Sequence, residues 1–481
     1  MPPLLVQDLN EDILSHICLL TDVYTVLCIS RVNKHFRTIA LAKHVWLALI
    51  HRLSRRLLLD APPDDVLQVL SPAALVDEVR RATAGPGTWS AGSMLLPTLA
   101  RQRVIHIGRE VIAVHLLLGG RYVFLASQGG STAESCEFRE VETGRRVWSR
   151  DGRFGSYSAD PLVGGDRVRL LVVAESAPSL STMQIVEIDL RTGRDVDVVS
   201  FPPPAAPVPI YTRVFTQATI VGDFFVCLMD VAGHDLAILL INWRAQTGTW
   251  LIFDSLEPLM WPHRITLVPG HVLFTERTPN ANRLHIYAFP AAASAWRPIH
   301  ALDPATRTHA AQVPHTTLDI GPSGPDYGVN MIAFTCGESV LRAGAMDLLV
   351  YLSVSRAPRL PLLARLIRGR NRVSTHKARL VRYRLEPASL PVLSSAHLRP
   401  TLISAVPAPI RNGIIHIART GCVIYDWERE TGVAVARLDD DARDARPASR
   451  ELPGSPRTCH LSVNGAVTTV VGTSVVVSYY L

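Results

Sequence analysis

Lysine is almost absent. Of the 49 basic residues only Lys34, Lys43 and Lys377 are lysine, a skew that a GC-rich coding sequence explains along with the abundant alanine and proline. No run of eighteen apolar residues occurs, and Met1 to Asn10 has no basic residue ahead of an apolar stretch. Neither a transmembrane helix nor a secretory leader is therefore expected. The seven cysteines are odd in number, scattered and without a Cys-x-x-Cys pair, which argues against zinc or disulfide chemistry and for reduced thiols in a cytoplasmic or nuclear protein. Walker loops, Gly-x-Gly-x-x-Gly, His-Glu-x-x-His and Gly-x-Ser-x-Gly are all missing, so the usual enzyme signatures give no reaction, metal or cofactor.

What is present is ample apolar material: 48% of residues are hydrophobic and 19% charged, enough to bury a large core. A chain of 481 residues also exceeds one ordinary domain, so at least two parts are expected. At the start, Asn10 ahead of Glu11-Asp12 is a helix cap with acids at the positive dipole end, and Ile13, Leu14, Ile17 and Leu20 follow at helical spacing. Thr21-Asp22 breaks the chain before a second series, Val26, Leu27, Ile29 and Val32. Phe36, Ile39 and Ala40 form a third, closed by Val45-Trp46 and Leu49. Three short helices of this size bury little surface on their own, which implies a partner.

In composition, order and spacing, Leu9, Glu11, Ile13-Leu14, Ile17, Leu20, Val26-Leu27, Ile29-Ser30, Val32-Asn33-Lys34-His35-Phe36, Ile39-Ala40 and Val45-Trp46 resemble the F-box motif of fungal-type F-box proteins. The resemblance covers about a tenth of the chain. It departs from the family at Asn10 and near Val23, where prolines are usual; Asn10 can start the helix by capping instead. The resemblance implies that Leu9, Ile13, Leu14, Ile17, Leu20, Val26, Leu27, Ile29, Val32, Phe36 and Trp46 bind a Skp-type adaptor and, through it, a cullin.

After residue 50 the chain reads as a helical linker to about residue 100. Ser71-Pro72 starts a helix and Gly85-Pro86-Gly87 ends it. From Arg101 short runs rich in Val, Ile, Leu and Phe alternate with turn residues, the pattern of many short strands. A Thr-Gly hairpin recurs at Thr143-Gly144, Thr192-Gly193, Thr247-Gly248 and Thr431-Gly432, glycine supplying the positive φ of a tight turn. His285 to Phe289 and Ala378 to Tyr383 match the third strands of two further units. A period near fifty with four strands per unit is that of a β-propeller. Six units and a partial seventh follow Val111, and Val104 to Ile107 is positioned to supply the missing outer strand and remove the free edge.

Between Ser355 and Arg384 lie ten basic residues and no acid. This basic insertion, about 355–378, offers Arg365, Arg368, Arg370, Arg372 and Lys377 to an acidic or phosphorylated protein target. With Tyr383 its only aromatic ring, stacking on nucleic acid is disfavoured. His234-Asp235 reads as a hairpin tip.

Taken together, the sequence predicts an α+β multidomain protein: a three-helix F-box at 1–50, a helical linker at 51–100, and an all-β, propeller-like recognition domain of seven blades at 101–481. With the resemblance it reads as the non-catalytic substrate receptor of a Skp-cullin-F-box type ubiquitin ligase, in which lysine scarcity would spare the receptor itself. Cofactors are not expected, nor stable membrane insertion. Two alternatives stay open: a propeller scaffold without a ligase role, and a propeller hydrolase or lyase, whose carboxylates would come from different blades and leave no local motif.

Overall fold

The computed structural model describes residues 9–87 and 98–480, apart from 129–133, 153, 178–179, 202–217, 232–234, 253–264, 279–280, 290–294, 303–307, 310–314, 322–326, 357–374, 388–397, 409–413, 419, 421, 428–431, 438–449, 453–458 and 463–464. Helices occupy the N-terminal part: α1 (Glu11–Leu20), α2 (Val23–Ile29), α3 (Lys34–Ala40), α4 (Lys43–Arg55), α5 (Asp64–Val69) and α6 (Pro72–Ala84). Their starts follow local chemistry. The side chains of Asn10, Asp22, Asn33 and Ser71 accept from the backbone N–H groups of Asp12, Thr25, Phe36 and Ala74, satisfying donors that a helix N-terminus leaves open. Gly85, at φ 77°, ends α6. The helical region holds more than three helices before the linker, because α4 runs through residue 50 and joins the two segments that the sequence separated.

The rest is built of strands. After β1 (Leu99–His106) come seven sheets; six have four strands in chain order as their frame and the seventh has three. The first has β2 (Val111–Leu116), β3 (Tyr122–Gln128), β4 (Glu134–Glu140) and β5 (Arg146–Asp151). The second has β6 (Phe154–Pro161), β7 (Arg167–Ala177), β8 (Leu180–Asp189) and β9 (Arg194–Phe201). In the third, β10 (Ala218–Val221), β11 (Phe224–Val231), β12 (Asp235–Asn242) and β13 (Thr247–Ile252) are extended by the short β17 (Arg297–Pro298) and the parallel β18 (Thr308–His309). The fourth joins β14 (Ile265–Val268), β15 (His271–Thr278) and β16 (Ala281–Ala288) to β19 (His315–Gly321). The fifth is β20 (Tyr327–Glu338), β21 (Met346–Arg356), β22 (Thr375–Pro387) and β23 (Leu398–Ala408). The sixth is β24 (Ile414–Ile417), β25 (Cys422–Trp427), β26 (Gly432–Arg437) and β27 (Arg450–Leu452). In the seventh, β28 (Cys459–Leu461), β29 (Val467–Val471) and β30 (Ser474–Tyr480) take β1 as their fourth strand.

That last pairing is antiparallel, from Leu99↔Tyr480 to His106↔Ser474. Apolar clusters lie between successive sheets. Phe124, Phe138 and Trp148 of the first meet Val168, Leu170 and Ile188 of the second. Leu171 and Ile185 then meet Phe225 and Trp250, Leu240 and Leu251 meet Phe274, and Leu273 and Leu284 meet Leu348 and Val350. Cys422 packs with Cys459 and Leu461, while Val475 and Val477 pack with Val111, Val123 and Leu125 of the first sheet. Arg382 bridges the fifth and sixth by donating to the Thr420 carbonyl at 3.0 Å. Among the described residues, apolar clusters thus join the first sheet through to the fifth, the sixth to the seventh and the seventh to the first, and this hydrogen bond links the fifth to the sixth. Each such Val, Leu, Ile or Phe contributes about 1.5–3 kcal/mol by leaving water.

The helices are seated on the turns that join first and second strands. Val340 shares the core of α4 and α6. Tyr24 N–H donates to the Leu341 carbonyl and Gly164 N–H to the Arg55 carbonyl, and Arg56 pairs with Glu338. Leu57, at φ 61°, reaches the turn glycines Gly119 and Gly165, where an added Cβ would meet its Cδ2 at 2.9 and 3.1 Å. These turns therefore belong to an interface.

Two turn expectations are corrected. At the third-sheet hairpin Gln246, not Gly248, carries the positive φ, 54°; Gly248 lies in β13, against the Leu302 side chain and the Leu240 carbonyl. Gly432 opens β26, the third strand of its sheet, whereas Gly144 and Gly193 stand between third and fourth strands. Turn chemistry specifies a hairpin, not its place in the sheet.

Gly193 combines φ 74° with a carbonyl neighbour: an added Cβ lands on the Val147 oxygen. Gly193→Ala is expected to destabilise the protein by about 1–3 kcal/mol. Gly164→Ala, also at positive φ but facing open space, should cost about 1 kcal/mol. Urea denaturation of the two variants measures the difference.

Candidate functional site

In the fourth sheet strand alternation and register place three polar side chains on one face. His285 of β16 lies opposite Thr317 of β19 and opposite Phe274 of β15; Glu276, two residues beyond Phe274, is therefore its diagonal neighbour. His285 Nε2 is 2.8 Å from Glu276 Oε2, and Thr317 Oγ1 is 3.1 Å from His285 Nδ1. The acid and the imidazole are buried, at 7% and 6% exposure, whereas Thr317 is exposed. With the carboxylate accepting from Nε2–H, Nδ1 is left as the acceptor and Thr317 donates its hydroxyl proton toward it.

Aromatic neighbours fix the ring. Tyr287 stacks on His285 with centroids 5.6 Å apart, and His315 stands 6.0 Å from His285 and 5.1 Å from Tyr287. Burial first, then the Glu276 charge, raises the Tyr287 phenol well above its ordinary value, so it stays neutral. The arrangement is a hydroxyl, a base and a charge that orients the base, which is the geometry of acyl transfer.

Other buried charges tie strands together. Glu137 is fully buried and accepts from Arg109 at 2.7 Å and Arg139 at 2.8 Å. Within the second sheet Arg169 bonds Glu187 at 2.6 Å and within the third Arg244 joins Asp223 at 3.1 Å, and the two pairs meet across the sheets through Arg244 and Glu187 at 3.6 Å. Asp160 accepts from Gly222 N–H at 2.8 Å. Among the described residues no group of three or more His, Cys, Asp or Glu is arranged to hold a metal ion.

The residues singled out in the sequence separate into classes. Ile13, Ile17, Leu20 and Val32 are exposed, at 49%, 37%, 71% and 65%, as is Tyr24 at 42%. Leu9, Leu27 and Ile29 are half-buried. Leu14 and Phe36 are core, and so are Val26 and Trp46, the Trp46 indole donating to the Ala40 carbonyl at 3.0 Å. Those four hold the helices together and have no free surface for a partner. Arg365, Arg368, Arg370 and Arg372 lie outside the described residues. Lys377 is in β22, paired with Val354, so the basic insertion is shorter than 355–378: its two ends continue β21 and β22 as strand. Reasoning from sequence missed Glu276, His285 and Thr317, which no motif links.

No family model and no curated protein matches the chain. Solved structures do. A candidate 6-phosphogluconolactonase from Bacteroides fragilis is 13% identical over 77% of this chain and 88% of its own, with a TM-score of 0.37. The periplasmic gluconolactonase PpgL of Pseudomonas aeruginosa is 12% identical over 72% and 85%, TM-score 0.36, and TolB of Acinetobacter baumannii is 10% identical over 87% and 71%, TM-score 0.30. The reading of the chain as a non-catalytic substrate receptor of a ubiquitin ligase is corrected on this finding: the matched structures are named as lactonases and TolB, none as a ligase subunit. The likeness by itself assigns no reaction to this chain.

Asp160 gives a test of the charge network. Burial, outweighing the Gly222 bond and the Arg169 charge, raises its pKa from 3.8 to about 6. Its folded state binds the proton more tightly, so its contribution to stability is fullest below about pH 4 and is lost as pH rises to about 6. Asp160→Asn removes that dependence. Relative to the parent, the variant is expected to gain about 3 kcal/mol between pH 4 and pH 7, at 1.36 kcal/mol per pH unit, read by urea denaturation across that range.

Proposed function

We propose that the protein is a hydrolase on a seven-bladed β-propeller, and that Glu276, His285 and Thr317 are its catalytic unit for cleaving an ester or lactone. Seven successive sheets with four-stranded frames, the last completed by β1 and packed on the first, support the propeller. One observation carries the reaction: an exposed hydroxyl donates to a buried imidazole that is held by a buried carboxylate.

In the first step Thr317 Oγ1 attacks the substrate carbonyl carbon while His285 Nδ1 takes the hydroxyl proton. Glu276 stabilises the imidazolium. Collapse of the tetrahedral intermediate breaks the carbon–oxygen bond to the leaving alcohol, which receives the proton from His285. Water then attacks the acyl-threonine, again giving its proton to His285, and releases the acid with Thr317 restored.

Against a panel of chromogenic esters and δ-lactones, His285→Gln and Thr317→Val are expected to lower kcat/KM by about 10²–10⁴-fold and Glu276→Gln by a comparable factor. Thr317 is exposed, so its variant should keep the parent Tm. Full activity in Thr317→Val sinks the reading.

A second reading concerns the helices, and the exposed apolar side chains of Ile13, Leu20, Tyr24 and Val32 favour it. We infer that this face docks a partner protein, for which the Skp-type adaptor implied by the F-box resemblance is the first probe. Ile13→Asp with Leu20→Asp should abolish co-purification with that adaptor and leave Tm unchanged, since both side chains face solvent. Failure of the intact chain to retain the adaptor removes the inference.

A further inference from the structure

The outer strands of the first and second sheets leave an open groove of about 560 Å³ between them. Main chain forms its floor. An added Cβ at Gly193 would land on the Val147 oxygen, so the turn before β9 rests directly on β5. Val147 is the extra residue of a bulge, since Phe138 pairs with Trp148 and Arg139 with Arg146, and a bulge bends the strand that carries it. Arg146 and Ser149 from one sheet and Arg194 and Asp195 from the other line the groove, and all four are exposed.

The two cations of this groove are unspent. Asp195 is the acid of the lining, and it accepts from the Trp148 indole N–H. Neither the Arg146 nor the Arg194 side chain makes an ion pair, hydrogen bond or ring contact among the described residues. Their neighbours differ: Arg145 reaches Glu140 at 3.8 Å and Arg191 reaches Asp166 at 3.9 Å. Guanidiniums with the whole fork open favour carboxylates.

Beside these cations runs a strand edge. β5 is the last strand of its sheet, so alternate backbone N–H and C=O groups face away from β4. In the third sheet the equivalent edge is filled by the chain itself, β17 pairing antiparallel and β18 parallel with β13. An outer strand of this body thus accepts an extended segment, and among the described residues β5 has none.

We propose that the groove docks an extended acidic segment of a partner protein, which adds to the β5 edge as β17 and β18 add to β13 and sets carboxylates on Arg146 and Arg194. Main-chain pairing then supplies the register and the two guanidiniums select for acidic side chains. The surface belongs to the first two sheets and does not depend on the hydrolase reading.

Fluorescence anisotropy with a labelled hexaglutamate peptide tests it, with hexaglutamine as the uncharged counterpart. Hexaglutamate is expected to bind at least about tenfold more tightly than hexaglutamine. Arg146→Gln combined with Arg194→Gln should remove that preference and keep the parent Tm, since both side chains are exposed. Arg365→Gln combined with Arg368→Gln separates docking in the groove from attraction to the basic insertion, and should leave the affinity unchanged. Hydrogen exchange locates the edge: hexaglutamate should slow exchange in β5 and leave β13, whose edge is already covered, as it was. No detectable binding, equal affinity for hexaglutamine, unaltered exchange in β5, or binding that survives loss of Arg146 and Arg194 but not of Arg365 and Arg368 each overturns the proposal.

Discussion

The pairing of β1 with β30 is the constraint on which the β body depends. Five sheets take their four framing strands consecutively from the chain and the fourth does so around β17 and β18, but the seventh has only three of its own, and its open side would present unpaired backbone N–H and C=O groups. Residues 99–106 fill that side. The join makes the two ends of a long β segment interdependent: Val475 and Val477 reach the first sheet's core only when the seventh sheet is complete. Loop closure over so many residues is slow but thermodynamically cheap, since its entropy grows only with the logarithm of length.

Around that closure the polar groups are arranged by the depth at which each strand lies. Glu137 is tolerated at zero exposure because two guanidiniums reach it; a buried carboxylate with only one would be costly. Asp160, whose closest bond is to a backbone N–H, keeps an elevated pKa instead. In the fourth sheet the same logic applies to His285, held between a carboxylate and a hydroxyl, and there the hydroxyl opens to solvent. One set of rules for burying charge thus gives closed ties in two sheets and, in a third, a hydrogen-bonded chain that ends at an exposed hydroxyl.

Much of this was legible in the sequence where the causes are local. Asn10, Ser71 and Gly85 announce helix ends because a side-chain cap or a positive φ acts within three residues. Short apolar runs and hairpins gave the sheet count, and the shortage of strand in the last unit pointed to Val104. The same turns misled at Gly432, which opens a third strand where Gly144 and Gly193 precede a fourth, and at Gly248, which lies within β13 while Gln246 makes the turn. The partition of Ile13 from Leu14 required knowing where α3 and α4 pack. Glu276, His285 and Thr317 were not legible, because 9 and 32 positions separate the bonded pairs and only strand register brings them together. A resemblance confined to a tenth of the chain drew the functional reading toward its partner and away from the β body.

Leu57 has a wider consequence. By wedging into the glycine turns of the first two sheets it converts one end of the β body from surface into interface, and the helices above it leave those turns no freedom to lengthen. Sequence change is therefore restricted where the helices sit: the turns between first and second strands of the first two sheets are held at their present length, and variation is left to connections that touch no helix.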